Sequence, residues 1–183
     1  MDRPQDAHDP GGRVRIQLAG DITGTARFSS CGRYRTLLGR DWTAPGADPR
    51  SILWIGMNPS TADAEASDPT CNREMIFSRD WGYTRYLKAN MLAWRTTNPA
   101  QLPRDPQHAQ GADNIAHILE AAREAEIIVA AYGRLHARYA GIVAQTLAGI
   151  RRTGKPVFCL GRNRDGSAKH PLYLKKTTPL QIF

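Results

Sequence analysis

Cysteine is scarce in this sequence: Cys31, Cys71 and Cys159 are the three present, widely separated and odd in number. No C-x-x-C pair occurs, so neither a zinc site nor a disulfide framework is expected, and a reducing cytosol suits three unpaired thiols. The lack of a cysteine cluster also argues against iron–sulfur ligation. No apolar run approaches the roughly 20 residues that cross a bilayer. The opening MDRPQDAHDPGG has no apolar h-region, so it is not a secretory signal. Its Pro, Asp and Gly mark residues 1–12 as a disordered leader before a single domain over 13–183. Also missing are the G-x-x-x-x-G-K-[ST] phosphate loop, the G-x-G-x-x-G fingerprint and the G-x-S-x-G elbow. Their absence removes support from ATPase, hydride-transfer and α/β-hydrolase readings. His108 and His117 stand nine residues apart, a poor spacing for metal ligands on one helix. They are expected as solvated helix histidines, and no metal or cofactor is expected.

What is present fits a globular domain: 183 residues, 41% hydrophobic and 23% charged. The formal charge is +8 and the pI about 9.8. Such an excess attracts polyanions, which makes nucleic acid or a nucleotide the favoured partner and gives no reason to expect a membrane.

After the leader, RVRIQLAG alternates Val14, Ile16 and Leu18 with polar residues, the period of a half-buried strand. Residues 22–42 read as an irregular or hairpin region, and TAPGADPRS as a loop. Four evenly apolar runs come next, at 52–57, 86–94, 126–133 and 155–162. Helical patterns separate them, over 71–82, over 106–125 with Asp105-Pro106 as its start, and over 138–154 with Gly154 as its terminating glycine. Strands alternating with helices predict a three-layer α/β/α sandwich. Its central sheet is expected to be four-stranded and mostly parallel, with an N-terminal β or irregular extension.

Parallel strands end along one edge, where ligands bind in open α/β sheets. The residues just past each apolar run therefore assemble a candidate rim. The first run delivers Asn58, Pro59, Ser60 and Asp63; the second, Trp94 and Arg95; the third, Tyr132, Gly133 and Arg134; the fourth, Arg162, Lys169 and His170. Guanidinium groups meet phosphate, aromatic faces stack a base, and an amide offers both donor and acceptor to a base edge. Each residue also has a plainer role open to it. Asn58-Pro59 can be an ordinary turn, Trp94 and Tyr132 can cap the core, and Asp63 and Asp68 can be helix N-caps.

The motifs IGMNPSTADAEASDPT, WGYTRYLKANMLAWRTTNP, IVAAYG and FCLGRNRDGSAKHPLYL, in that order, resemble a bacterial and phage family catalogued as domain of unknown function 1643. The likeness covers roughly residues 26–174 and implies no activity. A more distant resemblance, to the uracil-DNA glycosylases, carries chemistry. Gly56-Met57-Asn58-Pro59 is similar to their first loop, Asn90 to Arg95 to their Asn-x-x-x-x-Arg strand end, and His170-Pro171 to their late His-Pro loop. That resemblance implies a four-stranded sheet between helices and N-glycosidase activity on a uracil-like or modified base. His170 would donate to the departing base, Asn58 would orient water, and Asp63 or Asp68 would supply the base an amide cannot. Trp94 or Tyr132 would stack on the extruded base. Ser60-Thr61 and Leu172 depart from the glycosylase pattern, so a free nucleotide or modified base stays open as substrate. A non-catalytic nucleotide or nucleic-acid binding module and another transfer at the anomeric carbon are the alternative functions.

Overall fold

The computed structural model describes residues 15–183. The expected leader over 1–12, and Val14 of the first alternating stretch, lie outside the described residues. The remainder of that stretch forms a short strand β1 (Ile16–Gln17), paired antiparallel with β5 (Ala66–Ser67).

The main sheet has seven strands. In spatial order they are β2 (Thr23–Phe28), β3 (Arg35–Asp41), β6 (Arg85–Asn90), β4 (Ser51–Gly56), β7 (Ile127–Ala130), β8 (Val157–Cys159) and β9 (Gln181–Ile182). The four apolar runs become β4, β6, β7 and β8, which are neighbours and run parallel. The expectation of a four-stranded, mostly parallel sheet is corrected, because β2 and β3 pair antiparallel with each other and β3 with β6, while β9 closes the far edge antiparallel to β8. The sheet is mixed. Residues 22–42, read as an irregular or hairpin region, contain the hairpin β2–β3; that it joins the main sheet through β6 was hidden because β3, RTLLGRD, carries Arg35 and Arg40 at 1% and 0% exposure, and hydropathy scores arginine as surface.

All six residues of β4 are buried, since helices cover both faces of the sheet. Leu53 and Ile55 pack with Ile118, Ala121, Ile142 and Ile150; Ile52 and Trp54 pack with Cys71, Met75 and Phe77. The first group lies on α3 (Asn114–Glu124) and α4 (Ala140–Arg152), the second on α1 (Pro69–Asp80). Trp54 stacks on Trp81 at 5.7 Å and donates its indole N–H to Ser78 Oγ at 2.9 Å.

Local signals placed the helix ends. Asp68 caps α1 ahead of Pro69, and Asp105 caps α2 (Pro106–Gln110) ahead of Pro106. Gly154 takes φ +73 past the end of α4 and donates to the Arg151 carbonyl. The helix expected over 106–125 is two helices, because Gly111 at φ +79 ends α2 before α3 begins. His108 and His117 therefore lie on different helices. No described helix is long and apolar enough to cross a membrane.

Arg40 Nη1 donates to Gly39 O at 2.8 Å, and Nη2 to Asp63 O at 2.6 Å and Ala66 O at 2.9 Å. Arg40→Leu removes these bonds, although Ala66 O keeps the Asp63 N–H at 2.9 Å, and should lower unfolding free energy by about 1–3 kcal/mol in urea titrations. Arg27→Ala, which removes only a solvent-exposed pair with Glu120, should leave the midpoint unchanged.

Candidate functional site

The loop after β4 is pinned on both sides. Met91 N–H donates to Gly56 O at 2.9 Å and Leu92 N–H to Met57 O at 3.0 Å, so the β6 side of the loop keeps strand-like pairing. Asn58 Nδ2 then donates to Pro59 O at 3.0 Å and Thr96 O at 2.8 Å. Two carbonyl partners fix which amide atom is nitrogen and leave Oδ1 as the acceptor. From the other side Arg35 Nη1 donates to Ala62 O at 2.5 Å, and Arg40 holds the Asp63 and Ala66 carbonyls.

Both carboxylates in this loop hold structure. Asp63 Oδ1 accepts the Glu65 and Ala66 N–H groups at 3.0 Å, and Oδ2 takes Arg15 at 2.8 Å. Asp68, 5% exposed, accepts the Cys71 N–H at 2.8 Å as the cap of α1. Ser60 is half-buried and Pro59 buried.

Beneath the loop lies a group of polar side chains that the sequence did not single out. Lys88 Nζ lies 2.5 Å from Glu74 Oε1, and the Tyr86 hydroxyl donates to Glu74 Oε2 at 2.7 Å. Burial raises the Glu74 carboxyl above its ordinary range, against the pull of Lys88, and drives Tyr86 well above its own. Burial likewise pushes the Cys71 thiol up to about 12. A Cβ at position 56 would meet Lys88 Nζ and Asn90 Oδ1 at 2.6 Å each, so glycine is required there by close approach. Asn90 is 1% exposed, and its Nδ2 has no partner among the described residues.

His170 comes to the same place. It opens the 3-10 turn Pro171–Tyr173, and its Nδ1 accepts the Leu172 N–H at 3.4 Å, which leaves the proton of a neutral ring on Nε2. A Cβ built on Gly133, itself at φ +66, would lie 3.6 Å from His170 Cβ and 3.9 Å from Met57 Cε. Burial lowers the imidazole pKa to about 4, with Lys88 adding to the shift and Asp68 opposing it. The ring is neutral at pH 7.

Several rim residues have other work. Trp94 packs edge-on against Tyr34 at 5.4 Å and near His108 at 5.0 Å. Arg95 donates to Gly32 O at 2.8 Å and lies over Phe28. Tyr132, 4% exposed, packs against Phe183, with Arg162 on another face of that ring at 4.3 Å. Arg134 pairs with Asp165 at 3.0 Å. Lys169 is exposed with its stem along Gly161, and Pro171 is buried. Thus Met57, Gly133 and His170 adjoin one another and Gly56 adjoins Lys88, while the Asn58 amide is turned to the Thr96 carbonyl, Trp94 and Arg95 tie the β2–β3 turn, and Tyr132 is core. Two clefts of about 440 and 370 Å³ open elsewhere, the first lined largely by the loop after β3 and the second by β2, β3 and α3, and contain none of the rim residues. Among the described residues no group of three His, Cys, Asp or Glu could hold a metal ion.

Fold and site together define an α/β protein whose strand ends carry a neutral imidazole and a pinned carboxamide above a buried ammonium. The chain belongs to the family described as Protein of unknown function (DUF1643), whose model matches residues 33–172, a span that includes every one of those groups. No curated protein matches it. No solved structure matches it either.

In an NMR titration the His170 ring should protonate near pH 4, and folding stability should fall as pH drops from 6.5 to 4, where the unfolded imidazole binds a proton that the folded one refuses. In Glu74→Gln/Lys88→Met, loss of the Lys88 charge should move that titration upward. An unmoved titration removes Lys88 as a cause.

Proposed function

We propose that the chain is an N-glycosidase of the uracil-DNA glycosylase type, hydrolysing the base–sugar bond of a uracil-like or modified base in nucleic acid or a nucleotide. In this reading β6, β4, β7 and β8, with helices on both faces, are the counterpart of the glycosylase sheet. The observation that carries the proposal is His170: a neutral imidazole at the strand ends, with Nδ1 occupied by the Leu172 N–H and Nε2–H left to donate.

The chemistry is set by charge flow. As the base–sugar bond breaks, its electron pair leaves with the base and the sugar becomes an oxocarbenium ion. Nε2–H of His170 donates to the base oxygen that gains this charge, and a donor already aimed at developing charge needs no reorganisation. The buried ammonium of Lys88 lies on the same side and favours the anion. Asn58 Oδ1 accepts a hydrogen bond from water, which adds to the anomeric carbon, and the water's proton passes to solvent or to the departed base. An amide orients that water without deprotonating it. Such a route suits an electrophile as reactive as an oxocarbenium ion, which asks more for a placed nucleophile than for a strong one.

One observation favours a second reading. Asp63 and Asp68 are both engaged in holding the loop and capping α1, so neither is poised as a general base. A non-catalytic nucleotide or nucleic-acid binding module would keep the same imidazole and amide. Transfer to an acceptor other than water stands as the further alternative.

Oligonucleotides bearing uracil, hypoxanthine, thymine mismatches or hypermodified bases, incubated with protein and treated with alkali, decide between them. The enzyme should leave alkali-labile sites on at least one. His170→Gln should lower the rate about 100- to 1,000-fold, and Asn58→Ala should lower it about tenfold or more. Binding without base release from any of these, or from free nucleotides by mass spectrometry, supports the binding module.

A further inference from the structure

Charge is divided unevenly along the chain. From Ile127 onward ten Arg and Lys side chains face a single acid, Asp165, so residues 127–183 carry +9. Residues 1–126, with 15 basic and 16 acidic side chains, carry −1. The entire excess of positive charge lies on α4 and on the segments that bracket β7 and β8. Arg134, Arg162, Arg164, Lys169 and Lys175 are all exposed. Arg162 follows β8, and its guanidinium lies 4.3 Å over the Phe183 ring that packs against Tyr132 at the end of β7. Asp165, bound to Arg134, is the one acid among these cations.

Tyr173 stands beside this charge. It is 87% exposed, while its neighbours Leu172 and Leu174 are partly covered. Its ring lies 6.4 Å from the His170 imidazole, on the turn that α1 holds through Arg73 and the Leu174 carbonyl. A solvent-facing aromatic ring on an anchored turn, next to the His170 imidazole, offers a stacking face.

We propose that this face binds single-stranded nucleic acid, with Tyr173 stacking on the base next to the one presented to His170 and the cations of residues 162–175 following the phosphates. The proposal rests on the reading of His170 as the base-binding end of the site and extends it from one nucleotide to a polymer. A free nucleotide would use few of these cations. A duplex keeps its base faces stacked inside, whereas a single strand presents them, and base–aromatic stacking beside a basic track is the usual arrangement for such strands. An anionic membrane is less well served, since the segment is a 3-10 turn with one exposed ring and lacks the apolar face of an amphipathic helix.

The test is fluorescence anisotropy with a labelled oligothymidylate of about twenty nucleotides across a salt series. The full chain should bind with salt-dependent affinity. Tyr173→Ala should weaken binding about tenfold with little change in salt slope, and Tyr173→Phe should bind as the parent does. Arg164→Gln and Lys175→Gln should each reduce the slope by up to about 0.7. Arg123→Gln, exposed on α3, should change nothing. Equal or tighter binding of a matched duplex without a Tyr173 effect, or sedimentation with phosphatidylserine vesicles in place of oligonucleotide binding, overturns the proposal. Base release from a free nucleotide with no oligonucleotide binding overturns it while leaving the glycosidase reading intact. Tyr173-dependent strand binding with no base release from any substrate sinks the glycosidase reading and leaves this one standing.

Discussion

The ion pair between Glu74 and Lys88 is the constraint on which the site depends. Two opposite charges at 4% side-chain exposure or less must be desolvated, and their mutual attraction offsets that cost only with close geometry and further hydrogen bonds. The Tyr86 hydroxyl supplies one such bond to Glu74. Because Glu74 comes from α1 and both Lys88 and Tyr86 from β6, the requirement fixes how α1 lies across the sheet. α1 in turn starts at the Asp68 cap, where the loop after β4 ends, and its Arg73 holds the turn that carries His170. One buried pair therefore locates both ends of the site. It also dictates Gly56, since the space a side chain would fill holds the ammonium and the Asn90 amide.

The antiparallel hairpin β2–β3 belongs to the site as much as to the sheet. Arg35 and Arg40 reach from β3 under the loop and donate to its carbonyls, three of which would otherwise lack these partners in a buried setting. Arginine suits the task because its planar fork reaches several acceptors at once. Burial lowers the Arg40 pKa, a sign of how far the fork has been drawn from water. The loop that presents Asn58 is thereby held from β3 on one side and from the 91–96 segment on the other.

These connections explain which features could be read from sequence. The four parallel strands were legible because burial on both faces leaves continuous apolar runs, and the helix starts because Asp-Pro pairs announce them. Strand direction then put the segments that follow β4 and β8 along one edge, while the path from Cys159 to His170 is set by the intervening loop. A hairpin over 22–42 was one reading of that stretch, but the place of β3 inside the main sheet was illegible, since two of its seven residues are buried arginines that reach backbone carbonyls more than twenty residues away. Glu74 and Lys88 were illegible for the same reason: a charge within an apolar run signals either an error of assignment or a partner, and the partner appears only in three dimensions. Trp94 and Tyr132 were placed at strand ends correctly, yet adjacency in the chain could not say that Tyr34, His108 and Phe183 would engage their rings.

The positive charge of this protein falls into two kinds that water treats differently. The exposed cations around β7 and β8 act through solvent, and at physiological ionic strength their reach is about 8 Å. Lys88 is shielded from mobile ions; burial is the main cause that lowers the His170 pKa, and the Lys88 ammonium, which also meets the space above Gly56, adds to it. Surface cations would hold a polyanion less tightly as salt rises, whereas burial, with Lys88 adding to it, keeps His170 neutral at pH 7. A protonated imidazole would attract any anion. Under the proposed glycosidase reading, a neutral ring over a fixed ammonium would discriminate instead, gaining most from an acceptor that becomes anionic only as its bond to the sugar breaks.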